Sequence, residues 1–132
     1  KDGKQYGKSV DTKWHENGQI KSEENYKDDK PVGKWTWWDE KGQMTEEKNY
    51  KDGDLASRTF YTYHENGQMK SAADYKDGKK FKHTIWHENG QMKSEANYKD
   101  GNLDGKWTYW NKKGQKVEET NYKDGVLVDR SV

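Results

Sequence analysis

The sequence contains no cysteine, a single proline (Pro31) and few aliphatic residues. Leu, Ile, Val and Phe together account for 13 of the 132 residues. The absence of cysteine excludes disulfides and thiolate-based metal or redox sites, and it leaves the cellular compartment open. No apolar run approaches the ~18 residues that a membrane-spanning helix requires. The fold therefore needs another source of apolar surface.

Aromatic residues supply that surface. Charged residues make up 37% of the chain, which together with so few aliphatic residues is typical of disorder. The formal net charge is only +1, however, so the chain does not expand by self-repulsion, and no general attraction to DNA or anionic membranes is indicated. Seven Trp and nine Tyr each offer roughly 150–250 Å² when buried. The composition predicts an ordered protein with an aromatic core.

One sequence word returns throughout the chain. "WHENGQIKSEENYKDD" begins at Trp14, "YHENGQMKSAADYKDG" at Tyr63 and "WHENGQMKSEANYKDG" at Trp86. A tyrosine follows each first turn glycine by eight residues, and a second turn residue follows three residues later. The length of the repeat varies only after the "KDG" word. The first turn glycines are Gly18, Gly42, Gly67, Gly90 and Gly114.

Asn-Gly and Asp-Gly between alternating segments are strong hairpin signals. The sequence therefore predicts an all-β fold, an elongated single-layer antiparallel β-meander of about five 24-residue hairpin repeats. We expect one repeat domain over residues 1–132, with partial repeats at both ends, and bulges at Gly7, Gly33 and Gly105. The approximate units are 7–32, 33–56, 57–80, 81–104 and 105–128.

The repeat also predicts a register. A two-residue Asn-Gly loop would place Trp14 and Ile20 on opposite faces, whereas a three-residue Glu-Asn-Gly loop with a glycine bulge places them on one face. We expect the bulged hairpin, with the tyrosine after the turn on that same face and charged residues on the other. The predicted structural core is Trp14, Ile20, Tyr26, Trp38, Met44, Tyr50, Tyr63, Met69, Tyr75, Trp86, Met92, Tyr98, Trp110 and Tyr122.

The segments "GKWTYWNKKGQKVEETNYKDG" and "YHENGQMKSAADYKDG" resemble the MORN repeat variant of bacterial proteins, in the YwqK-like group called antitoxins of toxin–antitoxin systems. The resemblance covers Lys1 to about Leu127. It implies stacked hairpins in a mostly single-layered sheet that serves as a binding scaffold, and it implies little about chemistry. The sequence departs from the family pattern where Asp29 replaces a turn glycine and where the first unit lacks the G-x-W tryptophan.

Three of the four histidines and four glutamates recur at fixed repeat positions, and the fourth histidine, His83, lies four strand residues or about 13 Å from His87. Equivalent positions in adjacent repeats are about 9.6 Å apart, too far to share a metal ion bound at ~2.1 Å. Carboxylates at that spacing suit an inverting glycosidase, but identical environments do not split the pKa values of a catalytic pair. We therefore predict no metal, no cofactor and no enzymatic activity. The residues concerned are His15, His64, His83, His87, Glu23, Glu47, Glu95 and Glu119.

Additional aromatic residues precede the turns. They either cover the second face of the sheet or form an exposed strip that contacts a protein partner. Glutamates nearly cancel the lysines, which argues against nucleic acid. Val126, Leu127 and Val128 form an apolar edge that could pair with a second copy. The predicted partner-binding residues are Trp35, Trp37, Phe60, Tyr61, Trp107 and Tyr109.

These patterns favour a non-enzymatic scaffold for protein–protein interaction, of the antitoxin or immunity type. The alternative is an exported adhesion or glycan-binding module, because cell-wall-binding repeats also use aromatic hairpins, with a period nearer 20 residues. The chain begins at Lys1 within a repeat and without methionine, which indicates a processed or trimmed protein. We favour an exported or cell-surface location, and a cytoplasmic one for a true antitoxin. The sequence does not identify the partner.

Overall fold

The computed structural model describes residues 7–132, which form twelve β-strands and no helix. The predicted all-β fold class is confirmed. The strands are β1 (Lys8–Trp14), β2 (Ile20–Lys27), β3 (Lys30–Pro31), β4 (Gly33–Trp38), β5 (Met44–Lys51), β6 (Asp54–Tyr63), β7 (Met69–Lys76), β8 (Lys79–Trp86), β9 (Met92–Lys99), β10 (Asn102–Trp110), β11 (Lys116–Lys123) and β12 (Val126–Ser131).

The contacts divide the chain into two compact units, Lys1–Thr59 and Phe60–Val132. In the described part of the first unit, neighbouring strands follow the order β1-β2-β4-β5, and β3 also pairs with β2. In the second unit the order is β7-β8-β9-β10-β11-β12. The first residues of β6 belong to one unit and its last residues to the other. Each unit is an antiparallel meander, as predicted.

The E-N-G turns have the predicted three-residue loop. The Gly18 N–H donates to the His15 carbonyl over 3.0 Å, and the His15 N–H donates to the Gln19 carbonyl over 2.8 Å. Gly18 has φ of 88°, in the region that L-residues rarely adopt. The same bonds close the turns at Gly42, Gly67, Gly90 and Gly114.

The K-D-G turns are two-residue hairpin loops. Asp52 and Gly53 both have positive φ, 52° and 86°, which is the backbone of a type I′ turn and matches the twist of the flanking strands. Asp28 and Asp29 adopt the same conformation, with φ of 51° and 65°. The turn is therefore preserved at Asp29, although a residue with a side chain here adopts a left-handed backbone conformation that favours glycine.

Length variation is absorbed by bulges after the K-D-G turn. Tyr26 faces Pro31 and Glu23 faces Thr36, so two extra residues lie on the returning strand. Gly33 stands in this stretch with φ of 63°, and Gly105 stands at the equivalent place with φ of 90°. The predicted bulges at these glycines are confirmed, whereas the pairing of Gly7 with a preceding strand lies outside the described residues. The fourth repeat has one extra residue, Phe81.

The predicted face assignment is wrong. Trp14 faces Ile20, as expected, but Lys13 faces Ser22, so Lys21 is an extra residue that interrupts the alternation. Because cross-strand partners share a face, Tyr26 lies on the side opposite to Trp14 and Ile20. The same irregularity follows the turns at Gly42, Gly90 and Gly114. The post-turn tyrosines therefore lie opposite Trp14, Ile20, Trp38, Met44, Trp86, Met92 and Trp110.

In each unit we name the side that carries the post-turn tyrosines the aromatic face, and the other side, which carries Glu23 and Glu47 in the first unit, the polar face. Small side chains form the floor of both. Ser22, Ser94, Ala96 and Thr120 are buried on the aromatic face, and Thr36, Ala72, Thr84 and Thr108 are buried on the polar face. No large side chain is fully buried in residues 7–132.

The residues of the predicted structural core are partly covered rather than enclosed. Trp14 and Ile20 are exposed, with 61% and 37% of their surface accessible. The others are half-buried: Tyr26, Trp38, Met44, Tyr50, Tyr63, Met69, Tyr75, Trp86, Met92, Tyr98, Trp110 and Tyr122. A layer one strand thick leaves rings in contact with the sheet on one side and solvent on the other.

Candidate protein-interaction surface

In the first unit, an aromatic cluster is centred on Trp35. Its ring lies 5.1 Å from that of Tyr26, 4.8 Å from that of Tyr50 and 6.1 Å from that of Trp37, centroid to centroid. The indole N–H of Trp35 donates to the Asn25 carbonyl over 2.8 Å. Burial, followed by the charge of nearby carboxylates, raises the pKa of the Tyr26 and Tyr50 phenols. Trp35 is therefore held between two tyrosines as part of the fold.

Trp37 lies on the same face and is half-buried. It stands opposite Ser22, which is 2% exposed, and its ring contacts Trp35 on one side. The Lys48 ammonium lies 5.2 Å from the ring centroid, within cation–π range. A half-buried indole beside a lysine suits contact with a partner.

In the second unit, Trp107 occupies the position equivalent to Trp35. It faces Ala96 and Thr120, and its ring stacks on Tyr109 at 5.3 Å with an angle of 25° between the planes. The Tyr122 ring is 6.1 Å away. The buried indole N–H of Trp107 finds no acceptor in residues 7–132, unlike that of Trp35.

Phe60 and Tyr61 complete the predicted set of partner-binding residues. Phe60 meets Tyr75 edge to face at 5.7 Å and lies on the aromatic face of the second unit. Side chains alternate along a strand, so Tyr61 lies on the opposite side. The structure thus places Trp35 and Trp37 together in the first unit, Trp107 and Tyr109 together in the second, and Tyr61 apart from Phe60.

The recurring "HENGQ" letters have a structural role that spacing alone did not reveal. The His15 side chain bonds through Nε2 to the Trp38 carbonyl over 2.8 Å, and the Asn17 amide donates to the Glu40 carbonyl over 2.8 Å. Because a carbonyl only accepts, Nε2 carries the proton. Equivalent bonds join the turns at Gly67, Gly90 and Gly114 in the second unit. We name this set of bonds the turn ladder.

The carboxylates of the polar face pair with lysines on neighbouring strands, as expected of a charged sheet face. Glu47 lies 3.2 Å from Lys34, and Glu95 lies 3.9 Å from Lys82. Glu119 contacts Lys116 at 2.9 Å and Lys106 at 3.6 Å. The hydrogen bond from Lys116 is the main cause of the lowered pKa of Glu119. These pairs match the arrangement predicted for the repeated glutamates.

Two features not identified from the sequence lie on strand β8. Lys80 places its ammonium beside the rings of Tyr75 and Tyr98. His83 stands where Trp35 and Trp107 stand in other repeats. Burial, and next the charge of Lys80, lowers its pKa. Alignment of the repeats by their turn glycines could have shown that this position is aromatic in three repeats and not in the first, at Asp11, or the fourth, at His83.

Residues 7–132 contain no group of three or more His, Cys, Asp or Glu side chains arranged to hold a metal ion. In this part of the chain there is also no helix of the length and apolarity needed to cross a membrane. The groups described on this surface are aromatic side chains and charged side chains that form ion pairs.

Stacked β-hairpins with this turn chemistry define a hairpin-repeat scaffold. The model of the MORN repeat variant family matches residues 12–28, 31–52, 59–77, 82–100 and 103–124, and the chain belongs to that family. Repeats of this family are generally protein-interaction repeats without catalytic function. A comparison with curated proteins found no match.

Proposed function

We propose that the chain is a non-catalytic scaffold that binds a protein partner through its aromatic face. The observation that supports this most directly is the set of half-buried rings that lie beside buried small residues on this face, Trp37 and Tyr109 among them. Trp and Tyr are enriched where protein interfaces are strongest, because they bury large area at low entropic cost. The proposed contact residues on this face are Trp35 and Trp37 in the first unit and Phe60, Trp107 and Tyr109 in the second, whereas Tyr61 lies on the opposite side and is left out.

A capture experiment with matched variants tests this function. The wild-type protein, Trp37→Ala, Tyr109→Ala and Lys112→Ala are immobilised and exposed to an extract of the source cells. We expect wild type and Lys112→Ala to retain the same protein in similar amounts. The amount retained by Trp37→Ala or Tyr109→Ala should be lower by about tenfold or more, a typical effect of losing an interface hot spot. Equal retention by all four proteins, each with an unchanged circular dichroism spectrum, would contradict the proposal.

A narrower form of the proposal is that the partner is a toxin whose active surface the aromatic face covers. Its support is the family resemblance together with a binding surface rich in Trp and Tyr. Co-expression with the product of the adjacent gene tests it. Rescue of growth by wild type and loss of rescue by Trp37→Ala would support it, and toxicity unchanged by wild type would remove it. This form places the protein in the cytoplasm.

The second candidate function is glycan or cell-wall binding by an exported protein. The half-buried rings of Trp107 and Tyr109, whose centroids are 5.3 Å apart, favour it because together they offer aromatic surface on which a sugar ring can pack. Titration with cell-wall glycans or choline should then change tryptophan fluorescence in wild type and not in Trp107→Ala. No fluorescence change with wild type would reject this candidate.

A further inference from the structure

The position seven residues before the first turn glycine holds an aromatic ring in three repeats, as Trp35, Phe60 and Trp107, and it holds Asp11 in the first repeat and His83 in the fourth. In the second repeat it holds Trp35, whose ring lies between Tyr26 and Tyr50. In the fifth it holds Trp107, which contacts Tyr122. The chain itself thus shows that an indole fits beside these tyrosines.

The fourth repeat carries a smaller ring at this position than the second and fifth repeats do. His83 faces Ala73 on one neighbouring strand and Ala96 on the other, so a smaller ring stands over small residues. Lys80 lies 6.0 Å from the Tyr75 centroid and 5.4 Å from the Tyr98 centroid. We name this place the Tyr75–Tyr98 gap. Its present occupant is a flexible side chain that can move into solvent.

The surroundings of the gap are cationic. Lys76, Lys80, Lys99 and Tyr98 line an open groove together with Phe81, which is 42% exposed. Lys79 also lines it and pairs with Asp100 at 3.3 Å, while Asp77 adds the other negative charge. Four lysines against two aspartates leave an excess of positive charge at a site with exposed aromatic surface.

We propose that the Tyr75–Tyr98 gap receives one aromatic side chain, best a tryptophan, from an acidic segment of the protein partner. The incoming ring takes the place that Trp35 takes in the second repeat, and Lys80 swings out to pair with a partner carboxylate. The assignment rests on the proposed protein-binding function and names the chemistry of the partner at one site.

The same parts could suit a single-stranded nucleic acid, since bases stack on aromatic rings beside lysines. The peptide is favoured because the gap holds one ring rather than a series of open rings. The demonstrated occupant of the equivalent place is also a side chain of this protein. The nucleic acid is therefore an outcome that the test must exclude.

The experiment uses the whole chain and a short synthetic peptide with one tryptophan between runs of glutamate. Calorimetry should show binding to wild type, with affinity falling about tenfold or more when alanine replaces the peptide tryptophan. His83→Trp should lower affinity by a similar factor because it fills the gap from within, while its melting temperature stays equal or rises. Lys113→Ala, an exposed lysine in the same unit, is the matched control and should bind as wild type does.

Charge exchange provides a second reading. Lys80→Glu should lose the glutamate peptide and gain a peptide in which lysines flank the tryptophan. The inference is overturned if His83→Trp binds the glutamate peptide as wild type does, or if the tryptophan-free peptide binds equally. Tighter binding of oligothymidylate at the same ionic strength would overturn it too. These results would contradict only the role of the gap, provided that Trp37→Ala still loses the captured partner. Equal capture of the partner by all variants would contradict the proposed protein-binding function itself.

Discussion

The Trp35 indole donates its N–H to the Asn25 carbonyl over 2.8 Å, whereas the equivalent N–H of Trp107 is buried with no acceptor in residues 7–132. Trp35→Phe removes a hydrogen bond, but Trp107→Phe removes an unsatisfied donor. An unsatisfied buried donor costs about 1–3 kcal/mol. We therefore expect Trp35→Phe to destabilise by about 1–2 kcal/mol more than Trp107→Phe, measured by urea unfolding. Equal losses would show that the Trp35 bond contributes nothing.

The turn ladder should contribute to stability through its amide donors. Asn89→Asp turns the donor that reaches the Lys112 carbonyl over 2.8 Å into a carboxylate facing that oxygen. We expect a loss of about 1–3 kcal/mol at neutral pH, read from thermal unfolding. Asn111→Asp is the matched control, because Asp39 already fills the equivalent turn position and accepts the same two backbone N–H groups. If Asn111→Asp loses as much stability as Asn89→Asp, the hydrogen bond of the turn ladder does not account for the loss.

Asp29 should reduce the stability of the protein, and glycine at this position should restore it. Its φ of 65° suits glycine, which stands at the equivalent place in the other four repeats. Asp29→Gly should raise stability by about 0.5–1 kcal/mol, and the reverse change Gly53→Asp should lower it by a similar amount. A Cβ on Gly53 would meet only ordinary contacts with Lys30, so backbone strain alone is measured. Denaturant midpoints that move the other way would refute this account.

The stability of the second unit should depend on pH through His83. Its pKa lies below the ordinary 6.5 because burial, and then the charge of Lys80 on the same strand, disfavours the imidazolium. The unfolded chain therefore binds a proton more readily than the folded one, so stability falls as pH drops below about 6.5 and is constant above it. His83→Gln should lose this component. Urea midpoints across the acidic range test it, and parallel curves for both proteins would contradict it.

The outer strand β12 should govern self-association. Val126, Leu127 and Val128 are 67%, 45% and 63% exposed. Apolar edge strands pair with other chains, and a lysine at such an edge opposes pairing. We expect the sedimentation coefficient of wild type to rise with concentration and that of Val128→Lys to stay constant. A wild-type protein that stays monomeric throughout would rule out edge pairing.

The sequence predicts the features that depend on residue type. Gly18 and Gly53 have backbone angles that few other residues adopt, so the turns and the strand order could be predicted. The same holds for the bulge at Gly33. The period then fixed the number of hairpins.

The bulge that follows the first turn in four of the hairpins has no such signature in the sequence. The extra residue is Lys21 in the first repeat, and Thr45, Lys93 and Val117 in others. A bulge of this kind uses ordinary backbone angles that any residue adopts, so the sequence gives no sign of it. For this reason the aromatic residue just before each first turn and the tyrosine after it were predicted on one face, although they lie on opposite faces. The gap at His83 likewise depends on neighbours that only the pairing of strands brings together.

The turn ladder gives the array a direction. His15 and Asn17 bond forward to carbonyls of the next turn, and His87 and Asn89 do the same. The donors of such a repeat contribute hydrogen bonds only when another repeat follows it. A repeat that has Asp39 or Asn111 at the histidine position has no imidazole to make such a bond to a following turn and can be the last of a series. Shuffling the order of the repeats would therefore change stability even though composition and hairpins stayed the same, so whole repeats are interchangeable in shape but not in sequence position.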